Sequence, residues 1–321
     1  MLLILTNSQD VTADYLVSVL DRASVPLIRL NTDTLITQTF ISYRPGEPII
    51  SLDGVSYPPS DVQNVWYRRP QPLRSNQFDD SSDSHYILNE WAEGIEGFLA
   101  HIPKMRWMNH PSSNALASHK LEQLTTARSL GFQLPDSLVT QDESILREFF
   151  RQNDGQIVVK PMANGYIERP LEDTDSQIYT NRVRESDLRD LTDLKSCPTF
   201  FQQFIQKKSD VRITIVDDEI HTVELVGKDN GVQRCDIRRN NMADVAYSKI
   251  DLPESVRAKL RRLMDHYSLR FAAIDMVIAD DGEWFFLEVN PNGQWAWLDL
   301  EGVTGIAQSF VTASSTFEGQ V

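Results

Sequence analysis

Cysteine is nearly absent from this 321-residue chain: Cys197 and Cys235 are the only two, and neither stands at a cysteine–histidine spacing that would hold zinc. A disulfide framework and a structural zinc site are thereby excluded as organising principles, and each thiol is expected as a small buried side chain. Positive charge is short as well. Against 46 acidic residues stand 31 lysines and arginines, a net charge of −15, which argues against a nucleic-acid partner. No apolar run approaches the length of a membrane span, and the N-terminal MLLILTNSQD has neither a basic leader nor a small-residue cleavage site. It reads as a first core strand, and the protein is expected in the cytoplasm, away from membranes. Also missing are a GxxxxGK[ST] phosphate loop, a GxGxxG turn, a GxSxG elbow and an HExxH helix; a nucleotide would have to be held by another architecture.

What remains is an ordinary globular composition, 41% hydrophobic and 24% charged, with room for roughly two domains. The first hundred residues alternate strand and helix: LLILT, a helix over Thr12 to Ala23, VPLIRL, and a strand at NVWYRR. That order predicts an α/β unit with a parallel sheet. A helix follows around His85 to His101, then a short strand at Trp107-Met108-Asn109. Ser112-Ser113-Asn114 is expected to cap one helix running through Lys120 to Leu130 and stopped by Gly131. Beyond it come the helix SILREFFRQ, the strand IVVKP, a polar stretch over 162–195 expected to be mobile, strands FFQQFI, DVRITIV and IHTVELV, and a helix over 254–267.

The segment WFFLEVNPNGQWAWLDL carries the strongest chemical signal. Its apolar run predicts a buried strand, and period-two alternation puts Glu288 and Asn290 on one face. FAAIDMVIA precedes it, and Asp281-Gly282 between the two is a two-residue hairpin signal. With Asp280 and Glu283 flanking that turn, Asp275 falls opposite Glu288. Two carboxylates and an amide on one face of an apolar hairpin suit magnesium, which takes a few protein oxygens and fills its remaining positions with water and phosphate. The plainer alternative is a pair of acids on a solvated edge hairpin; the apolar Ile274, Met276, Phe285, Phe286 and Leu287 argue against it.

Other polar positions are individually less specific. Lys160 ends the strand Ile157 to Pro161, where an ammonium can meet phosphate, although a strand-end lysine is more often merely solvated. Phe200 to Ile205 is an apolar strand that ends in a hinge. Asp210 and Arg212 share a face of SDVRITIV, and Asp236, Arg238 and Asn240 are expected to share a face of a strand CDIRRNN. Such groups stabilise phosphoryl oxyanions or simply form cross-strand ion pairs. Basic clusters at Arg68-Arg69, Lys207-Lys208, 234–239 and 257–262 fit phosphates or an acidic peptide, or are solvated faces.

Taken in order, a helix lysine, Lys-Pro at a strand end, a hinge, Asp-x-Arg, Arg-x-Asn and a hairpin Asp followed by Glu-x-Asn resemble the ATP-grasp ligase superfamily. Val65-Trp66-Tyr67-Arg68-Arg69-Pro70, Gln203-Phe204-Ile205 with Asp210-Val211-Arg212, and Asn290-Pro291-Asn292-Gly293-Gln294-Trp295 bring the likeness closest to the graspetide synthetases, the microviridin-type peptide maturases. The resemblance covers nearly the whole chain. It implies an α/β ATP-grasp fold, two α+β subdomains gripping ATP, at 112–199 and 200–321, preceded by a pre-ATP-grasp domain at 1–111. It further implies Lys120 and Lys160 on the phosphates, Gln203, Phe204 and Ile205 at the adenine, and Asp210 as the ribose or hinge-side acid. Arg212, Arg238 and Asn240 would surround the reacting phosphoryl group, with Asp275, Glu288 and Asn290 as magnesium ligands. Two features depart from the family: Gln203 stands where glutamate is common, and the loop MANGYIE has only one glycine, Gly165.

The implied activity is ATP-dependent closure of macrocycles in a ribosomally made precursor peptide, with a leader and a core, by a homodimeric enzyme. Asp or Glu side chains become acyl phosphates, and Thr, Ser or Lys side chains of the same peptide displace the phosphate. An intermolecular carboxylate–amine ligase is the second reading, and a nucleotide-binding regulator without turnover the third. Trp295 and Trp297 are expected to line the peptide groove in preference to capping the core. Arg68 and Arg69 are left open between a substrate carboxylate and a domain interface.

Overall fold

The computed structural model describes residues 1–73, 81–163, 165–167, 176–227, 235–239 and 242–315. The N-terminal unit opens with β1 (Leu2–Thr6), α1 (Val11–Arg22) and β2 (Leu27–Asn31). An antiparallel meander follows, β3 (Thr39–Arg44), β4 (Glu47–Leu52) and β5 (Val55–Tyr57), and then β6 (Asn64–Tyr67) and α2 (Ser82–Leu99). The strand order β2-β1-β6 is parallel. β1 is buried at all five positions, as expected of a central strand covered on both faces and visible in its unbroken LLILT. Asp10 caps α1 by accepting from Thr12 N and Ala13 N. The Trp107 strand is present only as a parallel bridge to Val65.

The expected helix 112–130 is two helices, α3 (Pro111–Ala117) and α4 (Lys120–Ser129). The cap of α3 is the His110 side chain, which accepts from Ser112 N with Pro111 at the first helical position. The break at Ser118 and His119 restarts the helix at Lys120, so that this side chain leaves from a helix N-terminus. The next unit contains β7 (Ser137–Thr140), α5 (Glu143–Gln152), β8 (Ile157–Lys160), the short β9 (Tyr166–Ile167) and β10 (Ser176–Gln177), β11 (Asn181–Arg182) and β12 (Thr199–Gln203). β11-β8-β12-β7 form one antiparallel sheet, with Leu146 and Phe149 of α5 in its core. All of β12 lies in this sheet, so the step to the last unit comes after Gln203.

The last unit is an antiparallel sheet in the order β15-β14-β13-β16-β17: β13 (Lys207–Val216), β14 (Glu219–Gly227), β15 (Val245–Lys249), β16 (Phe271–Ala279) and β17 (Trp284–Asn290). α6 (Glu254–Tyr267) packs Val256, Leu260, Leu263 and Tyr267 on one face, against Ile213, Ile274 and Phe286. The other face meets α7 (Ala296–Leu300) and α8 (Ile306–Ser315) in a core that also takes Leu16 and Leu20 of α1 and Trp66 of β6. The first and last units therefore share one hydrophobic core.

Three expectations need correction. Residues 235–239 form turns, not a strand, so Asp236 and Arg238 are not related by strand alternation. Trp295 is fully buried and stacks on Phe310 at 5.3 Å between ring centroids; it is core, because β6 and α8 close over it. Trp297 is partly buried in the same core, 5.4 Å from the ring of Tyr247. The thiols are less buried than expected, Cys197 exposed and Cys235 half-buried, since both lie in irregular chain outside the sheets. Among the described residues no helix is long and apolar enough to cross a membrane.

Candidate active site

β16 and β17 place Asp275 opposite Glu288, the expected pairing, by a route the turn signal did not contain. The hairpin turn holds three residues, Asp280 to Gly282: Ala279 N bonds Glu283 O at 2.9 Å, and Gly282 takes a φ of +91°. That turn alone would shift the register by one residue. A bulge at Leu287, between the pairs Met276–Phe286 and Asp275–Glu288, restores it. Two deviations from the simple hairpin cancel, and the acids face each other.

Each acid has a cation. Arg212, opposite Asp275 across β13 and β16, donates from Nη1 to both of its carboxylate oxygens at 2.8 and 2.9 Å. Lys120 Nζ lies 3.0 Å from Glu288 Oε2 and donates to Pro161 O at 3.3 Å. Burial and the neighbouring Glu288 push the Asp275 carboxyl up, with Arg212 opposing; burial also opposes ionisation of Glu288, but Lys120, Lys160 and Arg212 together outweigh it and the net direction is down. A third of each carboxylate side chain, 33%, still reaches solvent, so a ligand can approach both. Asn290 Oδ1 accepts from Asn292 N at 3.0 Å. Two opposed carboxylates and an amide, all hard oxygen donors, fit magnesium.

Further cations line the cleft between the two sheets. Lys160 Nζ donates to Gln202 Oε1 at 2.7 Å, and burial, reinforced by Lys207 and Lys120, lowers its pKa to about 8 against the pull of Glu288. Lys207 donates to Asp210 at 2.6 Å, and burial nevertheless pushes the Asp210 carboxyl up. Arg238 pairs with Asp236 through Nε at 2.8 Å and Nη2 at 2.6 Å. Burial opposes ionisation of Asp236, yet these bonds and one from Thr180 N hold it at about 2. Asn240 lies outside the described residues.

At the hinge, Gln203 N donates to Asp136 O at 2.7 Å and Phe204 N to Gln156 O at 2.8 Å. The backbone N–H and carbonyl of Ile205 have no hydrogen-bond partner among the described residues. They border a cleft lined by Val158, Lys160, Gln203, Ile205, Val277 and Leu287. Apolar side chains, open backbone groups and an ammonium lining one cleft suit a flat heteroaromatic base joined to phosphates. The structure thus gathers Lys160, Gln203 to Ile205 and Lys207 around this cleft, and Lys120, Arg212, Asp275, Glu288 and Asn290 around the hairpin.

Several positions carry no sequence signal of this role. Gln123 of α4, buried, donates to Val289 O at 2.9 Å and accepts from Val289 N at 3.0 Å, substituting for a strand along the outer edge of β17 between Glu288 and Asn290. Four consecutive carbonyls after the hairpin are also held by side chains: Pro291 O by Asn109 at 3.1 Å, Asn292 O by Arg68 and Arg69, Gly293 O by Arg68 at 3.0 Å, and Gln294 O by Arg212 at 2.8 Å. The partners are far apart in sequence, and nothing in the residues beside Gln123 (Glu122 and Leu124) or Asn109 (Met108 and His110) marks either as the partner of a buried backbone group.

Residues 1–115 match the family model of the MvdD pre-ATP grasp domain. Over nearly its whole length the chain is similar to solved structures. Macrocyclase MdnC of Microcystis aeruginosa, bound with precursor peptide MdnA, is 26% identical with a TM-score of 0.84, covering 98% of this chain and 99% of that one. A RiPP-associated ATP-grasp ligase of Chryseobacterium gregarium, in complex with ADP and a leader and core peptide, is 25% identical with a TM-score of 0.86, over 97% and 95%. Macrocyclase MdnB of Microcystis aeruginosa is 26% identical with a TM-score of 0.75, over 98% of each chain. A comparison with curated protein sequences gives no match. These likenesses give the chain the fold of an ATP-grasp ligase and make it similar, along nearly its whole length, to graspetide synthetases.

Proposed function

We propose that this enzyme uses ATP and magnesium to close macrocycles in a ribosomally made precursor peptide, joining Asp or Glu side chains to Thr, Ser or Lys side chains of the same chain. The observation that carries this reading is the pairing of Asp275 with Glu288 beside Asn290, with Arg212 across from them, in a chain similar over nearly its whole length to a peptide-bound macrocyclase and a peptide-bound RiPP-associated ATP-grasp ligase. Ile205 and the walls of its cleft receive adenine, and Lys120 and Lys160 receive phosphate oxygens as point charges. Asp275, Glu288 and Asn290 would hold magnesium, which would supply neutralisation of phosphate charge.

A carboxylate oxygen of the peptide attacks the γ-phosphorus, the bond to the β–γ bridging oxygen breaks, and ADP leaves. Arg212 and Arg238 neutralise charge on the moving phosphoryl group and on the resulting acyl phosphate. A hydroxyl or amine of the peptide then attacks the acyl carbon, phosphate departs and a proton is lost to solvent. No enzyme nucleophile takes part. Mass spectrometry of a precursor incubated with ATP and magnesium tests the reading: each ring removes one water from a single peptide, whereas addition of a residue would turn the assignment towards intermolecular ligation. Glu288→Gln is expected to abolish ADP formation while the folded protein's circular dichroism stays unchanged; retained cyclisation in that variant removes Glu288 from the metal site.

A further inference from the structure

Arg68 is wholly buried, just beyond the carboxyl end of β6, and three hydrogen bonds from its terminal nitrogens go to a single loop. Nη1 donates to Asn292 O and to Gly293 O (3.0 Å), and Nη2 donates to Gln294 Oε1 at 2.6 Å. Nε lies 3.3 Å from Asp10, itself the cap of α1. Thr12, in the first turn of α1, donates to the same Gln294 oxygen. The backbone carbonyl of Gln294 accepts from Arg212 Nη2, whose other terminal nitrogen holds Asp275. An unbroken chain of hydrogen bonds therefore runs from β6 and α1, through the loop, to the arginine and the acid of the reaction centre.

We infer that Arg68 is a positioning residue: through Gln294 and the loop, the N-terminal unit sets Arg212 and Asp275 in their working geometry. This rests on the metal-site reading given above. Open parallel sheets ordinarily bind ligands in the crevice beyond the carboxyl ends of their strands. Here that crevice, beside the ends of β1 and β6, is taken by residues 292–294 of the same chain. The fork of a guanidinium reaches three acceptors that a lysine ammonium on its flexible stem cannot hold together. Burial opposes the charge, lowering the pKa of Arg68 to about 9 with Asp10 opposing, so the group remains a cation at neutral pH and the loop carbonyls are its counter-dipoles.

The test is Arg68→Lys in the full-length enzyme. ADP formation is expected to fall about 100-fold in kcat with KM for the peptide moving less than about twofold, as a displaced reaction centre requires. The half-saturating magnesium concentration should rise several-fold. In protein without nucleotide or metal, backbone hydrogen exchange should quicken over residues 290–298 and stay unchanged over 211–216. Unchanged kcat and unchanged local exchange would overturn the inference, as would exchange that rises evenly over the whole chain. Thr12→Val removes one donor to Gln294 and should move the same quantities in the same direction by about threefold, the scale of one hydrogen bond; if Arg68→Lys does not fold, an unaffected Thr12→Val decides against the inference. Glu288→Gln measured alongside separates the two claims: wild-type turnover there sinks the metal site, whereas an inactive Glu288→Gln beside an unaffected Arg68→Lys sinks only the role of Arg68.

Discussion

Among the residues proposed to receive phosphate, Lys160 is the one whose charge changes near neutral pH. With a pKa of about 8 it is mostly an ammonium at pH 7, and the charge is lost as pH rises through that value. ATP affinity should weaken between pH 7 and pH 9 by about tenfold, the worth of a charge-assisted hydrogen bond. Lys160→Gln should start weak and show a flat profile; calorimetric titration across that range checks both. Period-two alternation was enough to put Glu288 and Asn290 on one face, whereas Asp275 came from a two-residue turn register that holds only because a third turn residue and the bulge at Leu287 cancel. It failed for Asp236 and Arg238, because their chain turns and the two groups pair locally. Arg68 could not be assigned at this scale, since its acceptors lie 224 to 226 positions away.

At the scale of elements, β17 is an edge strand whose outer side is closed by the Gln123 side chain. Gln123→Ala leaves the Val289 amide and carbonyl buried without a partner, at a cost of roughly 2–4 kcal/mol; urea unfolding should report that loss, and turnover should fall with it because Glu288 and Asn290 flank Val289. Gly293 is demanded by close approach, not by dihedral angles: a Cβ there would overlap Ala273 Cβ and stand 2.8 Å from Arg212 Nη2. Gly293→Ala is therefore expected to cost about 1–3 kcal/mol as overpacking, and to reduce turnover further than thermal melting alone accounts for, since Arg212 must move. The hairpin illustrates what element-level signals convey. Asp281-Gly282 announced a turn, but neither its third residue nor the bulge at Leu287 is encoded in residue type; both follow from how β16 and β17 pack.

Over the whole molecule, the core that joins α1, β6, α7 and α8 makes the first and last units one folding body. Trp295 is at its centre, beside Tyr15, Trp66 and Phe310. Trp295→Ala should cost about 3–5 kcal/mol, and differential scanning calorimetry should show one transition carrying both units to lower temperature, with no separate N-terminal melting. A bridge of Arg270 to Asp217 and Asn64 at the same junction acts in the same direction. Reading the indoles as a groove lining failed because an aromatic after an active-site strand looks alike whether a partner or the protein's own helix covers it.

By itself the amino-acid sequence determined the main alternation of strands and helices, the ATP-grasp resemblance from which Lys120 and Lys160 were singled out, and the acids of the hairpin, because alternation and turn chemistry act over a few neighbouring residues; the meander β3 to β5, β15 and the helices α7 and α8 were not legible in it. The tertiary structure alone decided which side chains hold those groups in place: Gln123 on Val289, Arg68 and Asn109 on the loop carbonyls, Trp295 inside. Those choices join residues more than a hundred positions apart, and hydrogen bonds and close packing at such separations leave no period in the chain.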